Sequence, residues 1–267
     1  MFISSCPLRV SLFGGSTDNL TFIEKFNYGA VISFSCSLRT YITSHQDKLG
    51  YNLQAGKYII NYSKREEVNN ISEIKNDPIR VVLDHFNCAP MTISLNSDAY
   101  SQGSGLASSS SYIISLIKNI SLMRSINMFE IDICKLAHEL ELKFNPYCGY
   151  QDPYGCCIGG FKKIEFEKDK EVKYNFLDTK IFNYFDMHLV FTGVMRNSSE
   201  ILEDVTKNIE KSYPLLDMLD KAYQHLKKEN FDDFIYLISE SWQQKKKTSK
   251  SITSNNKIQE IDKNLYE

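Results

Sequence analysis

Hydrophobic positions in the first hundred residues follow the pattern of extended chain. Four segments there are rich in β-branched and aromatic residues and are separated by polar, turn-forming stretches, which is typical of strands. The first segment ends where Gly14 and Gly15 interrupt the apolar run. The predicted strands are residues 7–13, residues 29–44 as one long strand or two, residues 57–62 and residues 91–95.

Helical spacing of apolar residues begins after position 100. Apolar side chains recur three and four apart in residues 108–123 and in residues 130–144, which predicts two helices. Proline interrupts a later helical pattern at Pro214. The remaining predicted elements are strand-like runs at 158–166 and 187–193 and a mostly helical stretch at 198–240.

Strands therefore dominate early and helices late, without regular alternation. This order predicts an α+β fold rather than a doubly wound parallel sheet. A chain of 267 residues fits one large domain or two moderate ones. We expect a boundary near residue 180, which divides the chain into residues 1–180 and residues 181–267.

Composition and charge narrow the function classes. The net charge is −2, so no bulk attraction to nucleic acid or to a membrane surface is expected, although a local basic patch could bind a phosphorylated small molecule. Seven scattered cysteines without zinc-ribbon spacing indicate reduced thiols. The first residues lack the features of a signal peptide, and no window is apolar enough for a membrane span. A cytoplasmic location is therefore expected.

A glycine- and serine-rich segment, Gly103–Ser111, stands directly before the first predicted helix. Glycines allow a tight backbone turn, and a helix N-terminus offers unpaired N–H groups, so together they suit a phosphate. A flexible loop that ends in a serine N-cap explains the same residues. The P-loop motif, the dinucleotide-binding glycine motif and the protein-kinase motifs are all absent.

Two acidic residues flank a predicted loop after the second helix. Glu141 lies on that helix, and Asp152 follows it eleven residues later in NPYCGYQDPYG. Two carboxylates separated by such a loop can converge, one on a divalent cation and one near a nucleophilic hydroxyl. Read alone, Glu141 is better explained as a solvated helix acid, and Asp152 before a proline as a turn residue.

The first predicted strand carries a charge in an apolar setting. Arg9 lies within it, and a turn containing Gly15, Thr17 and Asp18 follows. A buried arginine is costly unless it is paired or functional. An edge-strand arginine and a capped turn account for the same pattern.

In this order, the three segments resemble the motifs of the GHMP kinases. They are PLRVSLFGGSTD, then GSGLASSSS opening a helix, then a glutamate and an aspartate ending in GYQDPYG. The late segments FTGVMRNSSEIL and SESWQQKKKTSKSITSNNKIQEIDKNLY resemble those of the D-glycero-D-manno-heptose 7-phosphate kinases within that superfamily. The resemblance covers nearly all of the chain.

The resemblance implies a two-part fold and a set of site residues. The N-terminal half would resemble domain 2 of ribosomal protein S5, and the C-terminal half would be ferredoxin-like but incomplete. ATP would bind at Gly103, Ser104, Gly105, Leu106, Ala107, Ser108, Ser109 and Ser110, and Mg²⁺ at Ser109 and Glu141. Asp152 and Arg9 would be catalytic, and Asp18, Thr17 and Gly15 would contact the sugar.

The implied activity is transfer of the ATP γ-phosphoryl group to the anomeric hydroxyl of a sugar, with D-glycero-D-manno-heptose 7-phosphate favoured. A phosphate at the far end of that sugar would need cations, for which Arg196, Lys245 and Lys246 are the candidates. A homodimer is compatible with this interpretation. The alternatives are a 1-kinase for a free sugar such as fucose, arabinose or glucuronate, and a degenerate kinase fold that binds without turnover.

Several departures from the family pattern keep the last alternative open. Ala107 stands where the family usually has glycine, Tyr150 stands where close relatives have lysine, and Tyr100-Ser101-Gln102 replaces the usual proline. The sequence also ends at Glu267, before the third glycine-rich motif, which indicates either a fragment or truncated reading frame or the loss of part of the catalytic apparatus.

Overall fold

The computed structural model describes residues 1–46, 56–99, 103–194 and 198–266. Within these residues a seven-stranded sheet has the order β4-β3-β5-β2-β6-β7, with β1 paired to β2. Strands β3 and β5 run parallel, and the other pairs are antiparallel. The strands are β1 (Phe2–Phe13), β2 (Tyr28–His45), β3 (Tyr58–Asn61), β4 (Arg65–Val68), β5 (Thr92–Ser97), β6 (Phe161–Glu167) and β7 (Lys173–Phe176).

The long strand β2 organises this sheet. It pairs with β1 along most of its length, with β6 through its first half and with β5 through its second half. The β1–β2 register shifts between Pro7 and Arg9, which is an irregularity of the kind that re-aims a side chain beside a site.

Ten helices occur in the described residues, together with short 3-10 turns at 71–73, 209–212 and 250–253. They are α1 (Leu20–Phe26), α2 (Asp77–His85), α3 (Ser108–Arg124), α4 (Glu130–Leu142), α5 (Gln151–Cys157), α6 (Ile181–Tyr184), α7 (Ser198–Lys207), α8 (Tyr213–Lys227), α9 (Phe231–Thr248) and α10 (Asn256–Tyr266). None of these helices is long and apolar enough to cross a membrane.

Two hydrophobic cores form around the strands. The first contains α2, α3, α4 and α5 and includes the fully buried Ile42, Ile93 and Ile117. The second joins the sheet to α8 and α9 and includes Phe13 and Phe234, whose rings meet edge to face with centroids 5.1 Å apart. Residues on both sides of position 180 contribute to the second core, and the division at that position stays a prediction.

The α+β fold and most predicted elements are confirmed. Residues 29–44 belong to one strand, and the helices predicted at 108–123 and 130–144 are α3 and α4. Pro214 lies in the first turn of α8, where a missing N–H removes no helical hydrogen bond, and α7, α8 and α9 occupy the stretch predicted to be helical.

Two predictions about local structure are wrong. Residues 187–193 form no strand, since Leu189, Val190 and Phe191 are 58%, 75% and 62% exposed and pair with no described strand. The segment after Asn145, predicted as a loop, contains the short helix α5, with Pro153 in its first turn. The described residues after position 180 are helices and connections, so they supply no strands for the expected ferredoxin-like half.

Candidate active site

The start of α3 is built by residues with left-handed backbone conformation. Gly103 and Gly105 have φ of 68° and 75°, and Ala107 has φ of 62° directly before the helix. This conformation costs an alanine about 1–2 kcal/mol relative to right-handed backbone. The glycine that the family pattern favours at position 107 would adopt it without that cost. The turn nevertheless opens α3 at Ser108, with its first N–H groups free for an anion.

Two hydroxyls of the first helical turn meet a buried carboxylate. Ser109 Oγ donates to Glu141 Oε1 at 2.5 Å, and the Ser110 hydroxyl donates to Oε2. Glu141 is 1% exposed. Burial, with a smaller contribution from the negative charge of Asp152, raises the pKa of Glu141 to about 7 although both serine hydrogen bonds oppose the rise. The solvated helix acid that the sequence allowed is therefore wrong for Glu141.

Arg9 joins the candidate catalytic acid to the glycine segment. Its Nε and one terminal nitrogen donate to Asp152 Oδ1 at 3.0 and 2.5 Å, and the other terminal nitrogen donates to the carbonyl oxygen of Gly105 at 3.0 Å. Arg9 is 8% exposed. Its burial lowers the pKa, but the charge of Asp152, its hydrogen bond and the other negative groups nearby together outweigh burial, so the pKa of Arg9 is raised overall. The guanidinium is thus a buried cation in which all three nitrogens donate a hydrogen bond.

Gln151 is a site residue that the sequence analysis assigned no role. Its amide nitrogen Nε2 donates to Asp152 Oδ1 at 3.2 Å, while Ser11 Oγ donates to its Oε1 at 2.7 Å. Oδ1 of Asp152 therefore accepts from Gln151 and twice from Arg9. Among the described residues no donor reaches Oδ2 of Asp152, which leaves that oxygen open to a substrate.

Asp18 lies beside this pair and is held by backbone groups. Its Oδ1 accepts from the N–H of Ser16 at 3.1 Å and its Oδ2 from the N–H of Gln151 at 2.9 Å. Burial raises the pKa of Asp18 above the ordinary aspartate value, against those hydrogen bonds. A Cβ at Gly149 would lie 2.1 Å from Asp18 Oδ2, so this close approach requires glycine there.

Lys245 reaches the same turn from the distant helix α9. Its Nζ donates to the carbonyl oxygen of Gly15 at 3.0 Å and to Ser16 Oγ at 2.6 Å. Burial lowers the pKa of Lys245 to about 8, although Asp18 and Asp152 pull it upward. A cation thus stands beside two carboxylates at the turn.

Three other predicted substrate residues are placed differently or not described. Lys246 Nζ pairs with Asp262 Oδ2 at 2.5 Å, away from this turn. Thr17 is fully buried, and its hydroxyl donates toward the carbonyl oxygens of Gly14 and Ala30, both at 2.8 Å. Thr17 therefore anchors the turn to β2 and does not face a sugar. Arg196 lies outside the described residues.

An open groove of about 960 Å³ begins at Ser108 and Ser109. Its walls come from the turn between β3 and β4, from β4, β5 and α3 and from the start of α2, and they include Tyr62, Asn96 and Tyr112. The groove leads from the helix N-terminus along the surface, so it can hold the remainder of a molecule whose phosphates lie on α3.

The oxygen donors at Glu141 fit a hard divalent cation. No group of three or more His, Cys, Asp or Glu side chains in the described part of the chain could hold a metal. A single carboxylate with a neighbouring hydroxyl nevertheless suits Mg²⁺, which commonly keeps waters and substrate phosphate oxygens as its other ligands.

Comparisons with known proteins agree with this geometry. Residues 74–160 match the family model of the GHMP kinases N terminal domain. The D-glycero-alpha-D-manno-heptose 7-phosphate kinase of Campylobacter jejuni is 29% identical, and the match covers 96% of this chain and 80% of that protein. A galactokinase of Thermotoga neapolitana is 23% identical over 84% of this chain and 67% of its own length.

Solved structures show the same fold. A D-glycero-D-manno-heptose 1-phosphate kinase from Bacteriodes thetaiotaomicron has a TM-score of 0.68 at 20% identity, covering 92% of this chain and 80% of its own. Phosphomevalonate kinase of Streptococcus pneumoniae has a TM-score of 0.70 at 9% identity, covering 94% and 81%. Residues 74–160 thus match the N-terminal domain of the GHMP kinases, the curated relatives are similar to this chain over most of its length, and the solved structures share its fold.

Proposed function

We propose that this protein is an ATP-dependent sugar kinase that phosphorylates the anomeric hydroxyl of D-glycero-D-manno-heptose 7-phosphate. One observation carries the proposal: Asp152 belongs, through Oδ1, to one hydrogen-bond network with the start of α3 and with the turn that Lys245 contacts, while its Oδ2 stays open. Arg9 connects Asp152 to Gly105 of the phosphate segment, and Gln151 connects it to Asp18. The similarity to the Campylobacter jejuni heptose 7-phosphate kinase supports the choice of sugar.

Different residues bind ATP, hold the metal ion and accept the proton of the sugar hydroxyl. The N–H groups at the start of α3 receive the phosphates of ATP, and Ser109 with Glu141 holds Mg²⁺, which neutralises phosphate charge when bound. Asp152 accepts the proton of the sugar hydroxyl at Oδ2 while Arg9 and Gln151 fix its orientation through Oδ1. Catalysis then rests on positioning and electrostatic stabilisation.

Asp18 and Lys245 provide the polar groups on the sugar side. The position of Lys245 beside Gly15 and Asp18 supports a role in holding the sugar or its distal phosphate. Lys246 is less suited to that role because it is paired with Asp262. The cytoplasm is the location we propose for this reaction, since ATP and sugar phosphates are intracellular metabolites.

A second candidate is a kinase for an unphosphorylated sugar. Three cations were proposed to bind a distal phosphate, and among the described residues only Lys245 lies at the site. A sugar without that phosphate needs fewer cations, which favours this candidate. Similarity to galactokinase over 84% of the chain is compatible with it.

Release of ADP across a panel of acceptors tests the proposal. The panel contains heptose 7-phosphate, free heptose, fucose, arabinose, glucuronate, galactose and mevalonate, each with ATP and Mg²⁺. We expect turnover with heptose 7-phosphate and a KM at least tenfold lower than for free heptose. Lys245→Met should raise that KM while Lys246→Met, as the matched control, leaves it unchanged. Equal activity on both heptoses would establish the second candidate.

A further inference from the structure

A cavity of about 600 Å³ shares no lining residue with the candidate active site. It is partly open to solvent and is lined by α1, α4, the start of α5, the end of β6 and the turn between β6 and β7. Its apolar surface includes Ile23, Leu142 and Phe166. A cavity of this size with apolar walls is typical of small-molecule sites when a few polar groups converge on it.

The first such polar group is the hydroxyl of Tyr154. This side chain is 1% exposed, and its ring packs edge-on against Phe166 with centroids 6.3 Å apart. In the described part of the chain, the hydroxyl oxygen Oη of this almost wholly buried tyrosine has no hydrogen-bond partner. A buried tyrosine hydroxyl normally has a partner. Because Tyr154 lines the cavity, its unpaired hydroxyl is a group that a ligand bound there can pair with.

The second polar group is the imidazole of His138. It is 5% exposed and stacks on the Tyr150 ring with centroids 4.2 Å apart. Its Nε2 lies 3.4 Å from the carbonyl oxygen of Cys148, so Nε2 carries the hydrogen. Burial lowers the pKa of His138 to about 4, which keeps the ring neutral. Nδ1 is consequently an acceptor, and it has no protein donor among the described residues.

The rim of the cavity is acidic. Five carboxylates and three lysines line it. Lys135 is paired with Glu171 at 3.1 Å, and Lys170 is paired with Glu167. The other rim charges are the acids Glu24, Glu139 and Asp169 against Lys168. The excess of negative charge on the rim attracts a cation and repels the phosphorylated substrates of the kinase.

We propose that this cavity is a second ligand site, separate from the phosphoryl-transfer site, and that it binds a small aromatic amine. The aromatic body packs on the apolar walls, the amine donates to His138 and lies toward the acidic rim, and the Tyr154 hydroxyl pairs with a polar substituent of the ring. A molecule with the same ring but a carboxylate in place of the amine is repelled by the acidic rim. The site is independent of the kinase activity, since none of its polar groups belongs to the proposed reaction.

Tyramine and 4-hydroxyphenylacetate provide a matched pair of probes, because they share a phenol ring and differ in the charge of the side chain. Binding to the full chain is measured by titration calorimetry and by ligand-observed NMR, with tryptamine and benzylamine as additional amines. We expect tyramine to bind and 4-hydroxyphenylacetate to bind at least tenfold more weakly. Tyr154→Phe, which removes one oxygen, should weaken tyramine about fivefold to tenfold. Glu24→Gln should also weaken it.

Tyr174→Phe is the control, since Tyr174 is 39% exposed on β7 and does not line the cavity. It should bind tyramine like the wild type. Binding of none of the three amines, equal binding of the acid and the amine, or unchanged affinity in Tyr154→Phe would each overturn the proposal. Kinase activity can be present or absent in every one of these results, so failure here does not bear on the proposed reaction.

Discussion

We expect the ionised carboxylate of Glu141 to lower the free energy of unfolding, although the proposed binding of Mg²⁺ needs it. Glu141→Gln tests this expectation. The carboxyl group is 1% exposed, and burial raises its pKa from an ordinary value of 4.5 to about 7. Because the folded protein holds the proton more tightly than the unfolded chain, ionisation of Glu141 opposes folding. A carboxamide has the shape of the protonated carboxyl group and cannot ionise. The variant should therefore be more stable than the wild type at neutral and alkaline pH.

The magnitude follows from the difference between the two pKa values. Below about pH 4.5 both states carry the proton, and the variant and the wild type should have the same free energy of unfolding. Between about pH 4.5 and 7 the advantage of the variant should grow by about 1.4 kcal/mol per pH unit. Above pH 7 it should level off at about 3 kcal/mol.

Urea unfolding of both proteins from pH 4.5 to pH 8.5, with EDTA present, measures this advantage. Glu139→Gln is the matched control, since Glu139 is an exposed acid on the same helix and its substitution should change little at any pH. Mg²⁺ with ATP should stabilise the wild type and not Glu141→Gln. A variant less stable than the wild type by the same amount at every pH would refute the reasoning.

Further predictions concern the acid, the turn and the lysine. Asp152→Asn should lower kcat by about 10²–10⁴ with little change in KM for ATP. Asp178→Asn, at an exposed position, should leave kcat unchanged. A kcat of Asp152→Asn above about a tenth of wild type would contradict the catalytic role of Asp152. Thr17→Val should lower the free energy of unfolding by about 1–3 kcal/mol because Gly14 and Ala30 lose a buried donor, and the exposed Thr21→Val serves as its comparison in urea unfolding. Since the pKa of Lys245 is about 8, kcat/KM for the sugar should fall as pH rises above 8, and Lys245→Arg should remove this fall in a pH–rate profile.

Long regular elements were predictable because their periodicity extends over many residues. The sequence places α3 and α4 to within two residues at each end. The short helix α5 was missed because Pro153 and Gly155 are typical of loops, whereas in the first turn of a helix Pro153 removes no hydrogen bond. The prediction of a strand at 187–193 was wrong because apolar composition alone does not make a strand, which also needs a neighbouring strand to pair with.

Within the candidate site, the ordered motifs located Arg9, Glu141 and Asp152 but could not describe their contacts. The Ser109–Glu141 hydrogen bond joins two helices, and the Lys245–Gly15 contact joins residues 230 positions apart, so no local pattern reports either. Gln151 could have been suspected only from standing next to Asp152. The role of Gly149 becomes clear only from the position of Asp18, which leaves no room for a side chain there.

The central claim is that Asp152 directs the γ-phosphoryl group of ATP onto an anomeric oxygen. ³¹P NMR of the chain with ATP, Mg²⁺ and heptose 7-phosphate tests this most directly, with Asp152→Asn in parallel. We predict that ADP forms together with a new phosphate resonance coupled to the anomeric proton, and that this resonance grows at least a hundredfold more slowly with the variant. Formation of ADP with inorganic phosphate alone, or an anomeric phosphate formed equally fast by Asp152→Asn, would contradict the account.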